Sequence, residues 1–201
     1  MAGSTVTGDR FRSPRPEDLD AAARHLYDTI TSGPRASGDQ PFPLAAPDGS
    51  LHGPFGPMLL QPGVGSALQD LGAAIRYRGH LSDREREIAI LAVAAATGSA
   101  FEAWAHERVA ATIGMEPDEL AAIAGGTFAG VGERERWCGE VPGRLVRERA
   151  LSDAEFAAAA AALGEADLLE LVVLVGYYST LALVMDVFGV GPPDDSPATD
   201  H

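Results

Sequence analysis

The sequence predicts an all-α protein, and three observations carry that expectation. From Val64 onward apolar residues recur at helical spacing almost throughout. Two stretches, Ser82-Asp83-Arg84-Glu85 and Ser152-Asp153-Ala154-Glu155, have the Ser-x-x-Glu pattern of a capping box. No segment of any length alternates apolar and polar residues as a half-buried strand would. The 201 residues suit one domain with a substantial core. No internal repeat with a period of about 20 to 50 residues is detectable.

The elements follow in order. Residues 1–15 and the last eleven, GPPDDSPATDH, are polar and rich in Pro, Gly or acids. They read as a mobile amino-terminal tail (1–15) and a disordered acidic tail (191–201), leaving 16–190 as the folded domain. Pro16-Glu17-Asp18-Leu19 opens a helix to about Thr31, with Pro and acids in its first turn. Residues 33–63 hold seven prolines, too many for regular structure. Their apolar residues Phe42, Leu44, Leu51, Phe55 and Met58 suggest a packed loop acting as a lid or pocket wall. Val64, Leu68, Leu71 and Ile75 form one apolar stripe of the next helix. Ile88, Leu91 and Val93 lie among alanines, a composition that lets helices approach closely. Gly98 ends that helix, and Gly114 ends the one after it. Glu116 to Asp118 opens a short helix that finishes at Gly125-Gly126. Glu133 to Ala150 is helical in composition, with Pro142-Gly143 expected to kink or split it. An alanine-rich helix runs to Gly164, and Leu171–Met185 is an apolar run. That run is short of the roughly 20 residues that span a bilayer, so it reads as the centre of a bundle or an oligomer contact.

The chemistry concentrates in Leu81–Gly114, LSDREREIAILAVAAATGSAFEAWAHERVAATIG. Glu102 and His106, four residues apart, share one helix face. Glu87 can approach them across a tight hairpin. A carboxylate beside an imidazole is a compact proton relay, because the acid holds one ring nitrogen while the other works. The alternative is an exposed i,i+4 pair contributing only a few tenths of a kcal/mol. Against that, Glu102 and His106 share a stripe with Val109 and Ile113, whereas Glu107 and Arg108 look like the wet face. Arg76, Arg78, Arg84 and Arg86 cluster at the preceding turn and read mostly as solvated helix-end charges. Arg76 is the one placed to hold a carboxylate, for which its forked guanidinium is suited.

These residues resemble the core of the carboxymuconolactone decarboxylase family, within the alkylhydroperoxidase-D-like superfamily. The resemblance rests on Leu81, Arg86-Glu87-Ile88-Ala89-Ile90-Leu91, Thr97-Gly98 and Phe101-Glu102-Ala103-Trp104-Ala105-His106-Glu107. It extends to Gly53-Pro54-Phe55, Leu71-Gly72, Ile75-Arg76-Tyr77 and a closing helix with Gly176-Tyr177-Tyr178. It implies an oligomeric all-α domain with a central antiparallel helix hairpin, assembled as a homotrimer or hexamer. It implies catalysis by His106, Glu102 and Glu87, with Arg76, Phe55, Trp104 and Ser99 lining the substrate pocket. The peroxide-reducing branch carries cysteines seven and four residues before the histidine; here those positions are Ser99 and Glu102. Cys138 is the only cysteine, so a thiol pair for peroxide chemistry is missing. Trp104 falls two residues before His106, where many relatives place a tryptophan three before.

Composition sets the outer limits. Fifteen basic residues, all Arg, face 29 acids, for a net charge of −14. Such a chain repels nucleic acid and anionic membranes. One cysteine excludes a disulfide framework and suits a cytoplasmic location, and Met1–Arg15 lacks the apolar core of a secretory signal. No Cys/His spacing suggests a metal, and no phosphate loop suggests a nucleotide, so no cofactor is expected. Ser99 reads as a helix N-cap before it reads as a nucleophile. His52 could enter the pocket, His80 less so; His25 and His201 read as incidental. The expectation is a cofactor-independent lyase acting by proton transfer on a small oxo- or lactone-bearing acid. Decarboxylation comes first among its reactions, with isomerisation, lactone opening or cyclisation behind it. A non-catalytic oligomeric scaffold on the same fold is the competing expectation.

Overall fold

Leu19 is extended and interrupts what the sequence suggested as one helix from Pro16. Pro16–Asp18 forms only a 3-10 turn, and Asp20 begins again by accepting a hydrogen bond from Ala23 N (2.8 Å) at the start of α1 (Ala21–Ser32). The computed structural model describes residues 10–33, 41–128 and 132–193. The outer parts of both expected tails, and residues 34–40 of the proline-rich loop, lie outside the described residues. Among the described residues eight more helices follow: α2 (Phe55–Met58), α3 (Pro62–Tyr77), α4 (Asp83–Thr97), α5 (Ala100–Thr112), α6 (Pro117–Ala124), α7 (Glu133–Glu148), α8 (Asp153–Leu163) and α9 (Glu165–Phe188). Among the described residues there is no strand, only an isolated bridge between Ala45 and Leu51. The protein is all-α.

The chain divides into two compact units, with the divisions after Asp70 and after Ala182. In the flanking unit, Phe11 meets Phe188 edge-on (5.4 Å between centroids), and Arg10 donates to the Val187 carbonyl (3.2 Å). The described part of the proline-rich loop packs down, with Leu51, Phe55, Met58 and Leu59 buried. Tyr27 donates to the Gly49 carbonyl (3.0 Å), and Gly49 has φ +82° with the Pro16 ring where a side chain would begin.

The middle unit, Leu71–Ala182, is organised around α4. Its residues Glu85 to Ala94 are buried without interruption, which an element contacted on all sides requires. α4 packs on α5, α6 and α7, and α7 packs on α8. Ser82 and Glu85 close the capping box at its start. At its end Gly98 takes a left-handed φ of +73°, and the Ser99 amide donates to Ala94 O (3.1 Å), folding α5 back as a hairpin. Arg134 joins this helix to the rest of the unit, donating to Glu85 (2.7 Å), Asp167 (2.9 Å) and the Leu163 carbonyl (3.0 Å).

Three expectations about helix faces change. Pro142 does not split α7, which runs unbroken through it. Pro142 is fully buried there, and close packing outweighs the hydrogen bond its missing N–H denies to Cys138. The Phe128 ring occupies the place of a side chain at Gly139, one helical turn before Gly143. On α3 the predicted stripe is divided: Val64 and Leu71 are exposed and Leu68 is half-buried, while Ile75 is buried together with Gly65, Gln69 and Gly72. Backbone proximity decides this, because the Tyr177 hydroxyl sits where a Cβ of Gly72 would be. Finally, α9 is apolar all round yet only half enclosed. Leu168, Leu171, Leu174, Tyr177, Tyr178 and Leu181 face inward, whereas Leu169, Val172, Val173, Leu183 and Val187 are exposed. It is long and apolar enough to cross a membrane, but half of its apolar window is buried inside the chain, as for a core helix.

The Gly72 contact yields a direct expectation. Gly72→Ala would gain helix propensity but collide with the Tyr177 hydroxyl. It should lower stability by about 1–3 kcal/mol, read as a fall in the thermal midpoint.

Candidate active site

The capping box fixes the start of α4, so that Glu87 falls on its second turn and points into the hairpin. Glu102 lies in the first turn of α5, and His106 one turn further along the same face. The offset between Glu87 and His106, a concern when residues are counted from the turn, is closed by the glutamate side chain. His106 Nδ1 lies 2.6 Å from Glu87 Oε2, and His106 Nε2 lies 3.4 Å from Glu102 Oε2. The imidazole is therefore held between two carboxylates. Glu87 is fully buried, Glu102 and His106 nearly so.

Two arginines complete the charge balance. Arg76 Nη2 stands 3.8 Å from Glu87 Oε1, and Arg86 Nε stands 4.0 Å from the same oxygen. Burial alone would push the Glu87 carboxyl up. The adjacent His106, Arg76 and Arg86 outweigh it and hold the group below its ordinary value of 4.5. Arg76 is also affected first by burial, which opposes its charge, but Tyr178 and Glu87 keep its pKa above the ordinary arginine value. Tyr178 accepts a hydrogen bond from Arg76 and sets its ring edge-on to His106, at 5.3 Å between centroids and 87° between planes. Burial, opposed by Arg76 and reinforced by Glu102 and Glu87, raises the pKa of that phenol well above its usual value. Tyr178 is thus a neutral, oriented group.

The structure brings together Arg76, Glu87, Glu102 and His106 from the sequence-derived set. The buried stripe around Glu102 and His106 continues through Phe101, Ala105 and Ala110 rather than Val109 and Ile113, which are only half-buried. Ser99 occupies the N-cap position of α5 and is buried, but its hydroxyl makes no capping hydrogen bond. Its extended backbone alone starts the helix. Trp104 lies about 200° around α5 from His106, between the Phe101 ring (5.5 Å) and the Arg108 guanidinium (4.4 Å). Phe55 is the buried first residue of α2, in the flanking unit. The expected solvated arginines are not all solvated. Arg84 is bridged to Glu119 of α6 and Glu135 of α7, and Arg86 is buried and paired with Asp83.

Sequence reasoning missed Tyr178 and Arg86 as members of the cluster. Tyr178 was visible as part of the Gly176-Tyr177-Tyr178 motif of the closing helix, and Arg86 as part of the Arg86-Glu87 motif and as a helix-end charge, neither with a role in the site. Cys138 is fully buried, and its thiol is pushed up to about 12, first by burial and then by Glu85, with Arg134 opposing. His52 is half-buried, and burial lowers its pKa against the pull of Asp48. His80, Asp167 and Glu170 bring ligand-type atoms within 4.8 Å of one another. Their atoms already serve the chain: Glu170 accepts from the amides of His80 (2.6 Å) and Leu81 (3.3 Å), and Asp167 pairs with Arg134 and His80.

None of the curated proteins compared matches the sequence. Among solved structures the chain is similar to an uncharacterized peroxidase-related protein from Ralstonia eutropha JMP134, described as an alkylhydroperoxidase AhpD core. The TM-score is 0.73 at 16% identity, over 92% of this chain and 93% of that one. Residues 62–140, which include Arg76, Glu87, Glu102 and His106, match the model of the carboxymuconolactone decarboxylase family. Residues 62–140 thus match the carboxymuconolactone decarboxylase family model within a helical fold similar to that of the alkylhydroperoxidase AhpD core, and Cys138 is the single cysteine of the sequence.

Proposed function

We propose that the protein is a cofactor-independent enzyme that moves a proton at His106 during reaction of a small oxo- or lactone-bearing carboxylic acid, decarboxylation being the leading reaction. The observation that carries this reading is the asymmetry of the two ring contacts, 2.6 Å at Nδ1 and 3.4 Å at Nε2. With Glu87 ionised, the short contact fixes the Nδ1–H tautomer and orients the ring. The longer one leaves Nε2 free to take up a proton from Glu102 or water, giving the imidazolium, and to pass that proton to a substrate atom.

In a decarboxylation, the carbon–carboxylate bond breaks and its electron pair passes to an adjacent carbonyl as an enolate. The Nε2 proton of His106 then adds to carbon, and Glu102 or water restores it. Glu87 stabilises the imidazolium, and Arg76, with a fifth of its side chain exposed, offers its remaining N–H groups to the substrate carboxylate. The same positioned proton would serve isomerisation or lactone opening. The family's name makes carboxymuconolactone the first compound to try, and a cytoplasmic setting accords with the single reduced cysteine.

Near-complete burial of Glu87, Glu102 and His106 favours a second reading, in which the cluster is a structural network of a non-catalytic protein. Peroxidase activity, suggested by the words attached to the Ralstonia protein, has less support. Cys138 is buried with a raised pKa and no second thiol exists.

Three outcomes test this reading. With carboxymuconolactone and a panel of 3-oxo acids, carbon dioxide release or solvent-deuterium incorporation should fall by about 10²–10⁴-fold in His106→Ala. Glu102→Gln should lose less, since an amide still orients the ring. Absence of turnover in the wild type across the panel, with loss of stability as the sole effect of His106→Ala, would establish the structural reading instead. Peroxide reduction with a dithiol should be undetectable, and Cys138→Ser should change nothing; turnover abolished by that substitution would restore the thiol mechanism.

The third outcome is a pH dependence of folding. The pKa of Glu87 is lowered in the folded state from 4.5, so its stabilisation is fully present above about pH 4.5 and is lost as pH falls through the depressed value. Denaturant titrations from pH 6 downward should show this loss in the wild type. Glu87→Gln should flatten that part of the profile and destabilise the protein at pH 7 by about 3–5 kcal/mol, because Arg76, Arg86 and His106 lose their shared anion.

A further inference from the structure

We infer that the cavity between α4, α6 and α7 is a second ligand site, taking a small carboxylate with a short apolar body. The cavity holds about 330 Å³, within the usual range of ligand pockets. It lies wholly in the middle unit and on the far side of α4 from the proton relay: Ala92 and Ala96 of its wall stand about 140° and 180° around that helix from Glu87. Its floor is buried and apolar, made by Ala92, Ile123, Gly139 and Gly143, with the Phe128 ring beside Gly139. Its rim is exposed and includes Ala95, Gly126, Glu140 and Arg147.

The polar groups around this wall have partners in the chain, with one exception. At the carboxyl end of α6 the carbonyls of Ala121, Ile123 and Ala122 accept from the amides of Gly125 (3.0 Å), Gly126 (2.9 Å) and Thr127 (2.8 Å). Glu140 accepts twice from Arg136, at 3.1 and 3.0 Å. Arg144 donates to Glu148 (3.2 Å) and meets Glu155 at 2.8 Å. Arg147 is the exception: among the described residues no carboxylate or carbonyl receives its N–H groups. A guanidinium offers five donors and no acceptor, and its fork matches a carboxylate. The net charge of −14 repels a dianion, which restricts the ligand to a single negative charge.

Gly143 supplies an independent observation. Glycine weakens the interior of a helix, and Gly143 lies inside α7. The helix glycines Gly65, Gly72 and Gly139 each answer to an atom of another element at the Cβ position. At Gly143 a Cβ would instead meet the far end of Arg147, with Nη1 at 3.1 Å, Nη2 at 3.5 Å and Cζ at 3.7 Å. No neighbouring element requires the glycine; the resting place of the guanidinium does. With no side chain there, Arg147 folds back one turn along α7 and lies over the cavity wall instead of extending into solvent. An apolar floor and one uncompensated cation held above it are the two halves of a site for a monocarboxylate.

Calorimetric titration of the full chain with phenylacetate, phenylpropionate and hexanoate should show binding of at least one of them, with a dissociation constant of about 1 mM or tighter. Arg147→Gln should weaken that binding by roughly tenfold or more, and Ala96→Leu, which fills the cavity, should abolish it. Gly143→Ala is the decisive variant. Alanine favours the helix, so the thermal midpoint should not fall, while the new methyl displaces Arg147 and binding should weaken severalfold. Arg76→Gln and His106→Ala should leave this binding unchanged, whether or not the protein turns over a substrate at the relay. Absence of binding by all three acids at about 10 mM overturns the inference. Binding that survives Arg147→Gln, that is lost in Arg76→Gln, or that phenylacetamide matches without a charge overturns it as well.

Discussion

A carboxylate with no exposure to water is the constraint around which the middle of this protein is arranged. Glu87 stands on the central helix α4, fully buried, where an isolated ionised group would be prohibitively costly. Its ionisation is sustained by three cationic or proton-bearing groups from three directions: His106 on α5, Arg76 on α3 and Arg86 on its own helix. Each of those groups is in turn fixed by a further partner. Glu102 faces the far nitrogen of His106, Tyr178 accepts from Arg76, and Asp83 pairs with Arg86. The charge requirement of one residue thereby ties together α3, α4, α5 and α9 within the middle unit.

Close helix approach makes that convergence possible. The alanines of α4 let α5, α6 and α7 pack directly against it. Gly72 lets α3 lie against Tyr177, next to the Tyr178 that contacts His106. Larger side chains at these points would add buried area. They would also separate the backbones, and an ion pair at 3.8 Å between Arg76 and Glu87 tolerates little separation before the carboxylate loses its compensation.

The features legible in the sequence were local ones. The Ser82/Glu85 box, the turn at Gly98 and the end of α8 at Gly164 depend on backbone geometry within four residues, and the structure has each of them. The Glu102–His106 pairing follows from helical spacing in the same way. Three features were not legible. The burial of Gly65 and Gly72 instead of Val64 and Leu71 on α3 is set by what approaches the helix, which an apolar count does not contain. Arg86 looked like a surface charge because nothing nearby in sequence announces its burial beside Glu87. Tyr178 joins the cluster from the far end of the chain, and only the fold places its ring beside His106.

The two sides of α9 connect these themes. Tyr178 looks inward to His106 and Arg76, while Gly176, about 200° away around the helix, looks out to open space. Orientation of Arg76 depends on that phenol, and the charge state of Glu87 depends partly on Arg76. The precision with which Arg76 is presented therefore rests on how firmly this one helix holds Tyr178 against the hairpin.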